Sequence, residues 1–205
     1  SLRKLLDIHH IPLNGRKILS YNDHNGVQKR PLILKAIENG KSVSYCSEAG
    51  TPLVADPGFQ LGKEVTRAGN KVFSVPGACA LIAALTVSGL PTNQFFYAGF
   101  LPTSKSMRQA FLKNLSRVPS TLIFYESPKR LDKTLLDMLY VMGPDRPLVI
   151  ARELTKKFEE HIGNNINEVL DFFEGKEILG EITLVIKGVN KEKQNSAVNK
   201  NYLKD

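Results

Sequence analysis

Short apolar runs alternate along the chain with longer amphipathic stretches, and this alternation constrains the fold more than any other feature. The short runs are rich in β-branched and aromatic residues and are bounded by Gly, Pro, Asn or Lys, as is typical of strands. They lie at residues 17–21, 42–46, 71–75, 121–125, 147–151 and 182–187. The longer stretches predict helices at residues 27–38, 59–68, 78–87, 105–117, 128–141 and 165–174. Strands and helices in alternation predict an α/β protein with a largely parallel sheet.

Turn residues mark the ends of these elements. Ser127 followed by Pro128 predicts a helix start that the Ser127 side chain caps. Glycines lie where helix ends are expected: Gly40, Gly69, Gly89, Gly143 and Gly175. The turn-rich segment 88–93 (SGLPTN) predicts a boundary between two α/β domains, residues 1–90 and 93–189. Residues 190–205 are polar and are predicted to form a tail.

The composition of the 205 residues is that of a globular protein, with 42% hydrophobic and 23% charged side chains. No apolar run approaches the roughly 18 residues that a membrane span needs, and no secretion signal is recognised. Two cysteines, Cys46 and Cys79, cannot form a disulfide framework, so we expect a cytoplasmic protein. Neither has a partner at metal-ligand spacing, and no metal site is predicted.

The formal net charge of +8 permits an anionic partner such as nucleic acid. Residues 101–133 concentrate the excess, with seven basic side chains against two acidic ones, Glu126 and Asp132. The basic side chains are Lys105, Arg108, Lys113, Arg117, Lys129, Arg130 and Lys133. Both a solvated helix face and a surface that binds an anionic ligand explain this segment.

Three loops directly follow predicted strands, where open α/β sheets bind ligands. Residues 47–58 form a run of small residues, Gly and Pro that lets a ligand approach the backbone, and twelve residues exceed what a simple turn needs. Residues 75–80 place Pro-Gly before a helix of small residues, which suits either an anion or tight helix packing. Residues 124–130 bring together an aromatic ring, a carboxylate and two cations.

These loops carry a resemblance to a known family. The segments SEAGTPLVADPG, VPGACALIAAL, TLIFYESPKRL and IARELTKKFEE, in this order, resemble the ribosomal RNA small subunit 2'-O-methyltransferase I family. That family belongs to the tetrapyrrole methylase superfamily, and YNDHNG at 21–26 and GEITLVIKG at 180–188 fit the same pattern. The resemblance spans about residues 1–188. It implies two α/β domains of tetrapyrrole-methylase type, with S-adenosyl-L-methionine in the cleft between them, and a homodimer.

The resemblance also implies an activity and a set of cofactor contacts. The family methylates the ribose 2'-hydroxyl of a cytidine in the decoding region of 16S ribosomal RNA, so the small-subunit RNA or the 30S subunit is the expected partner. The residues at the family's cofactor loops are Gly50, Thr51, Pro52, Leu53, Val54, Ala78, Cys79, Ala80, Tyr125, Glu126, Gly180, Glu181 and Ile182.

The sequence departs from the family at both ends. Family members begin with an apolar strand that ends in a Pro-Ile-Gly-Asn-type loop, followed by an Ala-Glu-Asp-Thr-Arg segment, and neither occurs here. The family's C-terminal extension is also cut short. The first strand normally lies inside the sheet, so its absence is expected to leave unpaired backbone and an opened cleft.

Transfer of a methyl group to a ribose hydroxyl needs a general base or a polarising cation. The candidates are Glu126, Glu153, Lys156 and His24, with Glu126 favoured because its loop adjoins the predicted cofactor site. Each of them is also explained by an ion pair or a capping role. The candidate RNA contacts on the rim are Lys105, Arg108, Lys129, Arg130 and Arg152.

Two other functions compete with RNA methylation at this stage. The superfamily fold also permits a small-molecule methylase that acts on a tetrapyrrole. The sequence departures permit an RNA-binding protein that has lost catalysis. The FYES and ARELTK segments favour the RNA methyltransferase over the tetrapyrrole enzyme.

Overall fold

A computed structural model describes residues 2–189 of the chain. The chain divides into two compact units, Ser1–Cys79 and Ala80–Asp205. The division precedes the predicted boundary at 88–93, because the helix Ala80–Val87 packs against the sheet of the second unit. The predicted tail at 190–205 lies outside the described residues. Within the described part, no helix combines the length and the apolar character needed to cross a membrane.

The first unit contains three helices among its described residues. They are α1 (Leu2–Ile8), α2 (Gly26–Glu38) and α3 (Phe59–Arg67). Helices α2 and α3 pack together through Ile33, Leu61 and Val65, which are all buried. The Arg30 guanidinium donates from Nε to Glu64 Oε1 at 2.6 Å and ties the same two helices together.

The strands predicted at 17–21, 42–46 and 71–75 are wrong. A strand requires ladder hydrogen bonds to a partner, and these segments pair with no described residue. Most of their apolar side chains are exposed, and Phe73 and Val75 are the most exposed at 81% and 83%, whereas Tyr45 packs against the α2–α3 core. The β-branched pattern therefore did not predict pairing.

The second unit contains a five-stranded sheet covered by helices. Its strands are β1 (Phe95–Phe100), β2 (Thr121–Glu126), β3 (Leu148–Arg152), β4 (Glu160–Ile162) and β5 (Ile182–Ile186). Its helices are α4 (Ala80–Val87), α5 (Lys105–Leu115), α6 (Leu131–Met142) and α7 (Ile166–Phe173), with a 3₁₀ turn at Pro128–Arg130 before α6. The predicted helices and strands of this unit are confirmed to within three residues, apart from β1 and β4, which were not predicted.

The strand order β1-β2-β5-β3-β4 corrects the prediction of a largely parallel sheet. Only β1 and β2 pair in parallel, because β5 lies between β2 and β3 and runs opposite to both. Strand β4 then adds an antiparallel edge to β3. Every residue of β5 is buried, so the strand is central both in the sheet and in the core.

A buried ion pair joins α5 to α6 on this sheet. Arg108 donates from Nε to Asp137 Oδ2 at 2.7 Å, and both side chains are 5% exposed. Gln109 donates to the second oxygen, Oδ1, at 2.6 Å. The Arg108 Nη1 atom donates to the carbonyl of Thr103 at 3.0 Å, so the pair also holds the start of α5. A buried pair with satisfied hydrogen bonds is costly to break on one side.

We expect Asp137→Ala to lower the free energy of unfolding by about 3–5 kcal/mol, because it leaves the Arg108 guanidinium buried without its carboxylate. Urea denaturation followed by circular dichroism measures the change. The control is Asp132→Ala, which removes an exposed carboxylate from the same helix and should cost less than about 1 kcal/mol. Equal losses in the two variants would contradict the structural role of the pair.

Candidate functional site

The topology of the second unit brings three distant segments to one end of the sheet. Strands β2 and β3 end where β5 begins, and Ile182 pairs with Glu126 on one side and with Arg152 on the other. We call this end of the sheet, with the residues that directly follow β2 and β3 and precede β5, the site edge. The predicted cofactor residues Tyr125, Glu126, Gly180, Glu181 and Ile182 and the candidates Arg152, Glu153 and Lys156 all lie there.

A lysine shared by two carboxylates lies at the site edge. Lys156 Nζ donates to Glu153 Oε1 at 2.8 Å and to Glu181 Oε2 at 3.0 Å. The backbone N–H of Glu181 donates to the same Glu153 oxygen at 2.8 Å, and the N–H of Glu153 donates to the carbonyl of Glu181 at 3.0 Å. We call Glu153, Lys156 and Glu181 the lysine cluster.

The backbone around the lysine cluster adopts a conformation that L-residues rarely take. Glu153 has φ +50° and Thr155 has φ +64°, although neither is a glycine. Gly180 has φ +92°, and a Cβ atom there would lie 2.5 Å from the Glu153 side chain. The close approach of Gly180 therefore explains why the segment before β5 has a glycine at this position. Non-glycine residues with a left-handed backbone conformation are concentrated at functional sites.

Hydrogen bonds within the lysine cluster stabilise the charged forms of Glu153 and Lys156. The hydrogen bond from Lys156 and the one from the Glu181 backbone lower the pKa of Glu153 below its ordinary value. Hydrogen bonds to Glu153 and Glu181 raise the pKa of Lys156 above its ordinary value. Lys156 is therefore an ammonium at neutral pH.

Tyr125 connects the site edge to the start of α4. Its hydroxyl accepts a hydrogen bond from the N–H of Leu81 at 3.0 Å, so this helix-start donor has a protein partner. The ring packs edge-on against Tyr97 and Phe100 of β1, with centroids 5.1 Å and 5.9 Å apart. Ala80, the last residue of the second predicted cofactor loop, is the first residue of this helix.

Glu126, the favoured base, is buried, and both of its carboxylate oxygens accept hydrogen bonds. Its Oε1 accepts from the N–H of Ser127 at 2.8 Å, and Thr134 donates to its Oε2 at 2.6 Å. Arg130 pairs with it at 3.3 Å. These contacts favour a structural role at the start of α6. They also correct the expected cap, because the Ser127 side chain makes no capping hydrogen bond.

The remaining predicted cofactor residues lie in the first unit, on two loops that contact each other. The Thr51 hydroxyl donates to the carbonyl of Ala78 at 2.9 Å. Gly50 has φ +71°, and a Cβ atom there would lie 3.4 Å from the same carbonyl. Leu53 also has a positive φ, while Pro52, Val54 and Cys79 complete the set. Small side chains leave the backbone of both loops open to a ligand.

The candidate RNA contacts differ in what they already bind. Lys105 and Lys129 are exposed. Arg130 donates to the carbonyl of Leu101 at 2.6 Å, and Arg152 donates twice to Glu160. Arg108 is not on an exposed rim as predicted, since Asp137 holds it in the interior.

The last predicted site residue is His24, and no metal site was predicted. His24 is exposed in the first unit, next to the Asn22–Asn25 turn that precedes α2. Among residues 2–189, no three histidine, cysteine, aspartate or glutamate side chains are grouped to hold a metal ion.

Sequence reasoning missed Thr155 and the N–H of Leu81 at this site. The conformation of Thr155 has no signal in residue type, because glycine is the usual residue at positive φ. The Leu81 contact depends on a hydroxyl 44 positions away along the chain. No local pattern identifies such a partner.

Residues 6–170 match the profile of the family described as Tetrapyrrole (Corrin/Porphyrin) Methylases. A protein of Thermotoga maritima called ribosomal RNA small subunit methyltransferase I is 42% identical over 84% of this chain and 77% of its own length. Proteins of the same name from Vibrio cholerae and Escherichia coli O157:H7 are 41% and 40% identical over 84% and 88% of this chain. The chain spans 60% and 64% of the lengths of these two relatives.

Solved structures share the fold at lower identity. A cobalt precorrin-4 methyltransferase superposes with a TM-score of 0.64 at 15% identity, covering 88% of this chain and 78% of the other. A uroporphyrin-III C-methyltransferase of Thermus thermophilus, complexed with S-adenosyl homocysteine, has a TM-score of 0.56 at 18% identity, covering 86% and 80%. The solved structures show the fold alone. The profile match and the relatives at 42% and 41% identity show that the chain belongs to the ribosomal RNA small subunit methyltransferase I family of the tetrapyrrole methylases.

Proposed function

We propose that this chain is an S-adenosyl-L-methionine-dependent methyltransferase of small-subunit ribosomal RNA, and that it methylates the 2'-hydroxyl of a cytidine ribose in the decoding region. The observation that carries the proposal is the site edge, where the FYES, ARELTK and GEI segments lie side by side. The relatives' shared name supports RNA as the substrate. The solved tetrapyrrole enzymes, at 15% and 18% identity, support only the fold.

Two features of the chain fit S-adenosyl-L-methionine. In the first unit, Gly50 and Ala78 present backbone groups without bulky side chains on two loops that contact each other, which suits a polar nucleoside ligand. In the second unit, Tyr125 and the Gly180–Ile182 segment lie at the site edge. When bound, the cofactor supplies a methyl group on a sulfonium, which an oxygen nucleophile takes in line.

Within this proposal, Lys156 polarises the ribose hydroxyl. Two of the donors on its Nζ point to Glu153 and Glu181, which leaves a third for the substrate oxygen. When the ribose oxygen is methylated, its proton would pass to a general base, and the Lys156 ammonium would stabilise the negative charge that develops on that oxygen. Glu153 and Glu181 position Lys156. The general base stays a prediction among Glu153, Glu126 and His24.

The remaining parts of the proposal concern partners and location. Lys105 and Lys129 are the exposed cations that are proposed to bind RNA phosphates. We also propose that the protein forms a homodimer and acts in the cytoplasm, where small ribosomal subunits are found.

A methyl-transfer assay tests the proposed function. The chain is incubated with labelled S-adenosyl-L-methionine and 30S subunits that lack the modification, with the Thermotoga maritima relative as the reference enzyme. We expect label in the RNA, at a ribose of the decoding region. Label only in an added tetrapyrrole would favour the small-molecule enzyme. RNA binding without label in any acceptor would favour a non-catalytic RNA-binding protein.

Gly50→Val should abolish binding of S-adenosyl-L-methionine, because the side chain fills the approach to the Gly50 and Ala78 backbone. Isothermal calorimetry measures the affinity. The matched control is Gly40→Val, which places the same side chain at φ +74° in the same unit, where no atom lies within 4 Å. Unchanged affinity in Gly50→Val, or equal losses in both variants, would contradict this cofactor site.

Lys156→Met should lower kcat for RNA methylation about a hundredfold or more while S-adenosyl-L-methionine still binds, because it removes the polarising cation. Lys156→Arg keeps the charge and should retain more activity. Lys176→Met, three residues beyond the end of α7, is the control and should be near wild type.

The pH dependence gives a second measurement of the same role. The pKa of Lys156 is raised above its ordinary 10.5 and that of Glu153 is lowered below its ordinary 4.5, so Lys156 and Glu153 keep their charges between these limits. The ratio of wild-type to Lys156→Met rates should therefore stay constant from about pH 6 to 9. A ratio that titrates within that window would mean that Lys156 acts as a base.

A further inference from the structure

An aromatic ring stands in solvent on the loop that joins β3 to β4. Phe158 is 64% exposed and lies two residues beyond Lys156 of the lysine cluster. The loop consists of residues 153–159 and leaves the site edge directly after Arg152. Single exposed apolar side chains are common on protein surfaces, so the position of Phe158 beside the site edge, and not its exposure alone, makes it a candidate ligand contact.

Hydrogen bonds within the loop fix its backbone. The N–H of Lys156 donates to the carbonyl of Glu153 at 3.0 Å, and the N–H of Glu159 donates to the carbonyl of Lys156 at 3.2 Å. The N–H of Thr155 donates to Glu159 Oε2 at 2.6 Å. Phe158 is therefore carried on a folded turn, and a ring that is already positioned loses less entropy when it binds.

The charged groups around the ring contact one another, with one exception, and four carboxylates outnumber the three cations. Arg152 pairs with Glu160, Lys156 pairs with Glu153 and Glu181, and His161 contacts Glu159. Lys157 forms no ion pair with any residue of 2–189, and its Nζ lies 5.4 Å from the centroid of the Phe158 ring. The loop therefore presents one aromatic face and one unpaired ammonium together.

We propose that Phe158 stacks on an unpaired base of the RNA substrate while Lys157 contacts the adjoining phosphate. This inference rests on the proposed function and names how the same site holds its RNA. Proteins recognise RNA mainly through unstacked bases that stack on aromatic side chains, and the ring tolerates any base because each has a π face. A ring beside the site edge would hold a nucleotide whose base has left the helix stack.

A second aromatic–lysine pair in the same unit provides a matched control. Lys176 Nζ lies 3.7 Å from the centroid of the Phe172 ring on α7. The same ring packs edge-on against Phe173, with centroids 5.1 Å apart, and Phe172 is 41% exposed. The pair has the same composition as Lys157 and Phe158, but protein groups already occupy its ring.

The sequence contains no tryptophan, so Phe158→Trp introduces a single tryptophan at the proposed contact, and its emission can be excited selectively over that of the six tyrosines. We expect its emission to be quenched by oligocytidylate, because base stacking quenches an indole. Emission should change little with an abasic ribose-phosphate oligomer of equal length, which keeps the phosphates and lacks the bases. Phe172→Trp, the control, should respond little to either oligomer. Emission that depends on protein concentration without RNA would instead indicate a protein contact and overturn the proposal.

Affinity measurements complete the test. Phe158→Ala should weaken binding of oligocytidylate at least about fivefold and leave binding of the abasic oligomer unchanged. Phe172→Ala should stay within about twofold of wild type for both, and circular dichroism verifies that each variant folds. Equal affinity of wild type and Phe158→Ala for oligocytidylate, in a chain that methylates 30S subunits, would overturn this inference alone. A wild-type chain that neither binds nor methylates RNA would overturn the proposed function as well.

Discussion

The antiparallel pairing of β5 with both β2 and β3 is the constraint on which the second unit depends. β5 supplies hydrogen bonds on both of its edges, and its side chains are buried along its whole length. Because it runs opposite to its neighbours, its first residue meets their last residues. Ile182 therefore aligns Glu126 with Arg152, although these residues come from separate segments of the chain. A fully parallel sheet would have sent the start of this strand to the other end.

Much of the second unit could be predicted from sequence because its elements have strong local signals. The helices α5, α6 and α7 have amphipathic spacing, and glycines follow two of them: Gly143 ends α6 with φ +84°, and Gly175 lies just beyond α7. Strand direction has no such signal, so the antiparallel insertion of β5 was missed. In the first unit, β-branched residues such as Val43 and Val72 predicted strands, but their segments pair with no described residue. Pairing depends on a partner that a single segment does not specify.

The candidate site was predictable in part, because its residues belong to motifs while its chemistry depends on contacts between motifs. Glu126 and Glu153 are both carboxylates next to predicted strand ends, and the sequence ranked Glu126 first. Glu126 is buried and contacts Ser127, Arg130 and Thr134, whereas Glu153 shares a lysine with Glu181. Arg108 and Lys105 are likewise adjacent in a basic segment, yet one is paired in the interior and the other is exposed. Charge patterning does not distinguish them.

The hydrogen bond from the N–H of Glu153 to the carbonyl of Glu181 closes the intervening chain into a loop. Residues 154–180 leave the site edge, form β4 and α7, and return to the point of departure. The two ends of this segment are joined by the backbone hydrogen bond and also by Lys156, which contacts both Glu153 and Glu181. Within this segment α7 is held in the core by Ile166, Val169 and Phe173, whereas none of residues 153–159 is buried. Substitutions on the inner face of α7 would therefore disturb the core, but the loop at 153–159 can change in sequence while the two ends of the segment stay joined.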